Sequence, residues 1–143
     1  IKADENEEKL NEYYKTAMGC SHTGEMEKGI KIVKEGLAIY PNNSKLLSLL
    51  IGFLFGLFCA TGKKELLEEI IAKAELILQD STNEEERTQV LEKLAYSYNY
   101  LEMQDKAIKT ANRLPDTVVN RQEVFSNIIM PMEKRKEKQQ EFE

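Results

Sequence analysis

The chain has 143 residues, of which 41% are hydrophobic and 31% charged, so it is long enough to bury a core of its own as one domain. Its net charge of −5 argues against a nucleic-acid-binding segment, because gripping a phosphate backbone requires lysine and arginine clustered on one face. Cys20 and Cys59 have no CxxC spacing and are typical of reduced, buried thiols in a cytoplasmic protein. Because the sequence starts with Ile1 rather than Met, we expect a piece of a longer protein or a shortened form of one.

Two helices are predicted between residue 4 and about residue 40, where apolar side chains recur three and four positions apart. The acidic start of the first helix suits the positive end of a helix dipole. Gly24 separates the two helices. The second helix ends at Pro41, which cannot continue a helix, and either Asn43 or Ser44 can cap the helix that follows.

The most apolar segment is "LLSLLIGFLFGLFCA", residues 46–60. It is shorter than the roughly 20 residues that a membrane-spanning helix needs, and its position in the middle of the chain does not fit a signal peptide. A helix that is apolar on every side must be packed between neighbours. We therefore expect a central helix of a protein without a membrane partner, with Leu50, Ile51 and Leu54 in the core.

Four more helices are predicted after this segment, and no alternation typical of β-strands occurs in the sequence. "ELLEEIIAKAELIL" has the pattern of an amphipathic helix. Thr82 and Glu85 fit a capping box that starts the next helix. A short helix then ends before Pro115, and a last helix is predicted at about residues 120–130.

The charged end of the chain, residues 131–143, has two interpretations. Four basic side chains lie close together and can form a patch for nucleic acid, but the glutamates between them neutralise the patch and no aromatic residue is interleaved. We therefore favour a charged tail or a frayed terminal helix.

The predicted helices come in pairs whose residues recur at the intervals of a tetratricopeptide repeat, a helical hairpin of about 34 residues. In the first pair, the aromatic, small, turn and closing positions of the repeat are occupied by Tyr13, Ala17, Gly24, Gly29, Val33, Gly36 and Pro41. In the third pair, with Glu102 where glycine is usual, the matching residues are Leu94, Ala95, Tyr98, Leu101, Ala107 and Ala111. The middle pair, residues 44–80, is longer than the standard unit by about one helical turn, so its register is open.

Small residues let helices cross closely, because a larger side chain would separate the backbones. We expect such crossings at the glycines of residues 46–60 and at Ala17, Gly29, Gly36, Ala95 and Ala107. The predicted fold over residues 4–130 is therefore all-α: a right-handed α-α superhelix of about three tetratricopeptide-like helical hairpins plus a C-terminal helix.

The segments "GIKIVKEGLAIYPNNSKLL" and "LAYSYNYLEMQDKAIKTANRLP", joined by a long apolar helix, resemble the C-terminal helical-repeat domain of bacterial transcriptional regulators. These regulators carry an N-terminal helix-turn-helix of the xenobiotic-response-element type that binds DNA, while the repeat domain dimerises or senses a partner or peptide. The likeness spans roughly residues 8–130. It implies a cytoplasmic interaction and oligomerisation module that reaches DNA only through a domain missing from this chain. The alternative is a free-standing tetratricopeptide adaptor or scaffold.

Residues suited to catalysis are few. His22 is the only histidine, so a site with two histidine ligands cannot form, and Cys20 points in a different direction on the same predicted helix. No glycine-rich phosphate-binding motif occurs. We therefore expect no enzymatic activity, no metal and no cofactor.

In a tetratricopeptide stack the first helix of each hairpin lines the concave groove. By that resemblance, the candidate peptide groove consists of Tyr14, Lys15, Met18, Lys93, Tyr96, Asn99 and Tyr100. Rings provide contact area and amides pair with the backbone of an extended peptide or protein segment, while the middle helix provides an apolar floor. The alternative is that the tyrosines simply pack against neighbouring helices.

The last predicted helix has an apolar face that can either cap the open end of the stack or join two copies of the chain. Its residues are Phe125, Ile128, Ile129 and Met130. We expect a homodimer.

Overall fold

The computed structural model describes residues 2–115 and 121–128. Within these ranges the chain is helical and has no strand, as predicted. The helices are α1 (Lys2–Thr23), α2 (Met26–Ile39), α3 (Ser44–Thr61), α4 (Glu65–Asp80), α5 (Glu84–Tyr100), α6 (Gln104–Asn112) and α7 (121–128). The predicted tail at 131–143 lies outside the described residues.

In three pairs of consecutive helices, α1–α2, α3–α4 and α5–α6, here called hairpins for their connection alone, the turn contains a residue in the left-handed backbone region. Gly24 and Gly62 have φ angles of 76° and 72°, and Glu102 has a φ of 62°. Glu102 therefore adopts the conformation expected of the glycine that it replaces. The turns are 62 − 24 = 38 and 102 − 62 = 40 residues apart, both more than the roughly 34 residues of a standard tetratricopeptide unit.

Asparagine side chains start two of the helices. The Oδ1 atom of Asn43 accepts the N–H three residues on at 3.1 Å and starts α3, which resolves the choice left open between Asn43 and Ser44. Asn83 caps α5 in the same way at 3.0 Å. The predicted capping box at Thr82 and Glu85 is therefore wrong by one residue, because the amide of Asn83 is an equally good cap and leaves three glutamates in the first turn.

Helix α3 packs against α2 and α4 and also contacts α1 and α5, so it lies at the centre of the fold. Leu50, Ile51 and Leu54 are at most 2% exposed, which confirms their predicted burial. At 18 residues the helix is longer than the apolar run itself and is long and apolar enough to cross a membrane, although the core helix of a soluble protein passes the same test. The expectation that this segment does not span a membrane rested on the apolar run of residues 46–60, which is too short to do so. The full length of α3 does not support that exclusion.

Glycines allow α2 to approach its neighbours closely. A Cβ atom on Gly29 would lie 2.7 Å from the ring of Phe53, and one on Gly36 would lie 3.1 Å from Leu46 and 3.2 Å from Tyr13. These contacts confirm the predicted close approach at Gly29 and Gly36. Ala17, Ala95 and Ala107 are fully buried, and the crossings predicted at these alanines stay predictions.

The two glycines of α3 differ. A Cβ on Gly56 would lie 3.1 Å from the Met26 methyl carbon, whereas one on Gly52 would have no atom within 4 Å. Gly52 lies on the exposed side of the helix. The predicted close approach is therefore right for Gly56 and wrong for Gly52.

The helices form two layers. Helices α1, α3 and α5 contact one another in chain order. In the other layer, long side chains connect the helices: Lys34 of α2 pairs with Glu69 of α4 at 2.9 Å, and Glu75 of α4 lies 4.0 Å from Arg113. The first helices of the hairpins are therefore closer together than the second helices. The superhelical twist and the assignment to tetratricopeptide repeats stay predictions.

The joint between α4 and α5 is tied by one side chain. The Nη1 atom of Arg87 in α5 donates hydrogen bonds to the carbonyl oxygens of Leu78 at 2.7 Å and Ser81 at 2.9 Å. These carbonyls are at the C-terminal end of α4, where helix geometry leaves acceptors without a partner. Arg87 therefore connects the second hairpin to the third.

Helix α7 contacts α5 and α6 through both polar and apolar groups. The Gln104 Nε2 atom donates to the Ile128 carbonyl at 3.1 Å, and the Asn127 Nδ2 atom donates to the Tyr96 hydroxyl at 2.9 Å. Val124 and Ile128 are buried. The seventh helix therefore covers part of the α5–α6 hairpin.

Candidate functional site

Helices α3 and α5 present a common surface that changes from polar to aromatic along its length. Residues seven positions apart lie two turns along a helix on the same face. Ser48 and Phe55 have this spacing in α3, and Gln89 and Tyr96 have it in α5. Since Ser48 and Gln89 line one cavity and the rings of Phe55 and Tyr96 are neighbours, we call this face the α3–α5 surface.

The aromatic end of this surface consists of Phe55, Phe58, Tyr96 and Tyr100, here called the aromatic cluster. The ring centroids of Phe58 and Tyr100 are 5.0 Å apart, and the Phe55 centroid lies 6.3 Å from those of Tyr96 and Tyr100. All these pairs are tilted, a favourable arrangement for aromatic rings. Tyr100 is 47% exposed, so the cluster opens to solvent at that ring.

One cation lies against the aromatic cluster. The ammonium group of Lys93 is 4.7 Å from the centroid of the Phe55 ring, within the distance of a cation–π interaction. Lys93 therefore stabilises the cluster as well as carrying charge.

Tyr96 connects the aromatic cluster to α7. Its ring contacts Phe55, and its hydroxyl oxygen accepts the hydrogen bond from Asn127. Burial raises the pKa of the Tyr96 hydroxyl, although the hydrogen bond from Asn127 acts in the opposite direction. Tyr96 therefore packs against neighbouring helices, which was the alternative to a role in a peptide groove. Tyr100 remains exposed, as a residue that contacts a peptide should be.

The other end of the α3–α5 surface is a cavity of about 470 Å³, here called the polar cleft. It lies beside the first turns of α3 and α5, with a contribution from α1, and its lining residues are Tyr14, Lys45, Ser48, Leu49, Asn83, Glu85, Glu86 and Gln89. The Ser48 hydroxyl is buried and has no hydrogen-bond partner in the described part of the chain. The cleft thus offers carboxylate, amide and hydroxyl groups side by side.

Glu92 follows the polar cleft on α5 and faces α7. Burial raises the pKa of its carboxyl group, the ammonium of Lys93 lowers it, and the nearby carboxylate of Glu123 raises it further. Negative charge is therefore unfavourable at this position in the folded chain.

The predicted groove residues divide between these two ends. Lys93, Tyr96 and Tyr100 meet at the aromatic cluster, and Tyr14 lies at the polar cleft. Three predicted residues belong to neither set as defined here: Lys15, Met18 and Asn99. The structure therefore divides the expected single groove into two unlike parts.

Sequence reasoning missed several members of the surface because it treated α3 as uniformly apolar. Phe55 and Phe58 join the aromatic cluster, and Lys45 and Glu85 line the polar cleft. The signal that was available is the seven-residue spacing from Ser48 to Phe55, which puts a polar and an aromatic residue on one face.

The candidate cap or dimer surface is described only in part. Ile128 is 1% exposed within its own chain, and Phe125 is half-buried with the guanidinium of Arg121 5.8 Å from its ring centroid. Ile128 therefore packs against its own chain, as expected if the last helix caps the end of the stack. Ile129 and Met130 lie outside the described residues, and the homodimer stays a prediction.

The two thiols differ in their exposure. Cys20 is buried as expected, but Cys59 is exposed, because it lies on the open side of α3 near its end. Within residues 2–115 and 121–128 no three histidine, cysteine, aspartate or glutamate side chains are placed to hold a metal ion.

No family model, no curated protein and no solved structure matches the chain. The geometry of the α3–α5 surface is therefore the basis for a functional proposal.

Proposed function

We propose that this chain is a noncatalytic module that binds a peptide or protein segment on the α3–α5 surface. The observation that carries the proposal is the Tyr100 ring, which is 47% exposed although Phe55 and Phe58 already pack against it. A rigid, half-open tyrosine beside other rings provides contact area to a partner at low entropic cost. Such aromatic residues are frequent energetic centres of interfaces.

The polar cleft adds the second requirement of a segment-binding surface. An extended peptide exposes backbone N–H and C=O groups that need hydrogen-bond partners. The side chains of Gln89, Asn83 and Ser48 line the cleft beside the aromatic cluster and provide both donors and acceptors. A surface with exposed rings at one end and hydrogen-bonding side chains at the other fits an extended peptide segment better than a compact small molecule.

The proposed biological setting is the regulatory domain of a cytoplasmic transcriptional regulator. It is supported by the resemblance of the repeat segments and by the three hairpins with left-handed turns arranged in two layers. In that setting the chain forms a homodimer, has no catalytic, metal or cofactor site, and reaches DNA through a separate helix-turn-helix domain. A free-standing adaptor with the same surface is the alternative.

The proposal is tested by selecting binders from a display library of short random peptides on the immobilised chain. Selected peptides are then titrated against the wild type and Tyr100→Ala. We expect Tyr100→Ala to weaken binding about tenfold or more, the usual effect of losing a central aromatic contact.

The matched control is Ile39→Ala, because Ile39 is 48% exposed but ends α2, outside the α3–α5 surface. It should leave affinity unchanged, and circular dichroism should show that both variants stay helical. A library that gives no binder, or binders that are insensitive to Tyr100→Ala, would contradict the proposal.

A further inference from the structure

The charges of the α3–α5 surface are unevenly distributed. Glu85 and Glu86 line the polar cleft in the first turn of α5. Within the described ranges, neither of these two carboxylates is joined to a cation by an ion pair, in contrast to the glutamates that pair with Lys28, Lys34 and Arg113.

The cations of the same surface do not balance these carboxylates. Lys45 lines the polar cleft, and the ammonium of Lys93 lies over the Phe55 ring. In the polar cleft two carboxylates therefore face one ammonium group, whereas the ammonium of Lys93 is at the aromatic cluster. A cationic partner is electrostatically complementary to this surface, whereas an acidic partner is repelled by it.

The spacing along α5 sets the spacing of groups on a partner. Glu86 and Glu85 precede Tyr100 by fourteen and fifteen residues, which at the rise of an α-helix corresponds to about 21–23 Å. An extended peptide advances about 3.3 Å per residue. A cation at the cleft carboxylates and an apolar side chain at Tyr100 are therefore about six to seven peptide residues apart.

We infer that the partner is an extended segment with an aromatic or long aliphatic side chain and a lysine or arginine about six to seven residues away. The apolar side chain packs against Tyr100 and Phe58, and the cation enters the polar cleft beside Glu85 and Glu86. The Gln89 side chain binds the backbone between them. This inference rests on the proposed function and specifies the chemistry of its ligand.

The test uses synthetic peptides with a neutral glycine–serine background, one tryptophan and one lysine, in which the separation of the two residues is varied one position at a time. Binding is measured by fluorescence anisotropy of labelled peptides. We expect the highest affinity at separations of about six to seven, and a loss of about tenfold when norleucine or glutamate replaces the lysine. The preference for lysine should weaken as salt is added.

The matched protein variants are Glu85→Gln with Glu86→Gln, and Glu84→Gln alone. Glu84 is in the same first turn of α5 but does not line the polar cleft, so it controls for the loss of charge near a helix start. The double variant should lose the preference for lysine over norleucine, and Glu84→Gln should keep it. Circular dichroism establishes that each variant is folded.

The outcomes separate the two proposals. If tryptophan peptides bind through Tyr100 but show no dependence on lysine or on its spacing, the binding surface stands and the cationic ligand is overturned. If glutamate peptides bind more tightly than lysine peptides, the charge argument is likewise overturned. If no peptide of the series binds the wild type, both this inference and the proposed segment-binding function fail for this surface.

Discussion

The first four helices and the α5–α6 hairpin reach similar hairpin geometry with different residues. In the first region, glycine occupies both turns, Gly24 and Gly62, and the close crossing at Gly29. In the second region, the turn residue is Glu102 and the corresponding crossing residue is Ala107. Glu102 takes the same left-handed conformation as the two glycines, although this conformation has a steric cost for a residue with a Cβ atom. The packing of the helices therefore determines the backbone conformation at this turn.

The largest loss of stability should come from truncating a buried leucine in the core, either in α3 or in α5. Leu54→Ala in α3 should destabilise the chain by about 2–5 kcal/mol, and Leu94→Ala in α5 should cost a similar amount, because both side chains are fully buried. Denaturant unfolding followed by circular dichroism and tyrosine fluorescence should give coincident transitions for both variants. A cost below about 0.5 kcal/mol for Leu54→Ala would show that α3 is not central.

The second test separates close crossings from open positions. Gly29→Ala should destabilise by about 1–3 kcal/mol, because the new methyl group would overlap the buried Phe53 ring. Gly52→Ala is the matched control, since Gly52 is also helical but has free space around it. That change should stabilise the chain by about 0.5–1 kcal/mol through helix propensity. Thermal melts that moved in the same direction would contradict the assigned crossing.

The third test changes the left-handed turn residue in each of the two regions. Glu102→Gly should stabilise by about 1 kcal/mol, because glycine adopts a φ of 62° without the steric cost that glutamate bears. Gly62→Ala should destabilise by a similar amount for the converse reason. Glu102→Asn should fall between glutamate and glycine. Equal stabilities of the glutamate, asparagine and glycine forms would indicate that the turn is not strained.

The smallest effect concerns Glu92, which faces Glu123 of α7. Its raised pKa means that the folded chain holds the proton more tightly than the unfolded chain. The associated stability is therefore complete below the ordinary glutamate pKa of about 4.3 and is lost as the pH rises through the raised value. Glu92→Gln should slightly increase the melting temperature at pH 7 and should not change it near pH 4. A decrease at pH 7 would show that the pairing of Glu92 with Lys93 dominates instead.

Helix ends were predictable where a residue restricts the backbone by itself. Pro41 and Gly24 mark helix boundaries through steric rules that hold for any fold. The capping box at Thr82 failed because Asn83, the next residue, competes for the same role. Gly52 was misjudged because a glycine in an apolar helix looks the same in sequence whether it faces a neighbour or open space.

The candidate site was predictable only as a set of first-helix positions. The contact between Tyr96 and Asn127 joins residues 31 positions apart, and no local spacing indicates it. The position of Lys93 over Phe55 likewise depends on how α3 and α5 pack. Sequence periodicity identifies the face of a helix, but the partners of that face come from the tertiary arrangement.

The two hydrogen bonds of Arg87 have a consequence for the energetics of association. They hold the end of α4 to the first turns of α5, and α4 in turn packs against α3. The distance between α3 and α5 is therefore fixed before any partner arrives. A surface that is preorganised in this way loses little conformational entropy when it is occupied, so more of the contact energy remains as affinity.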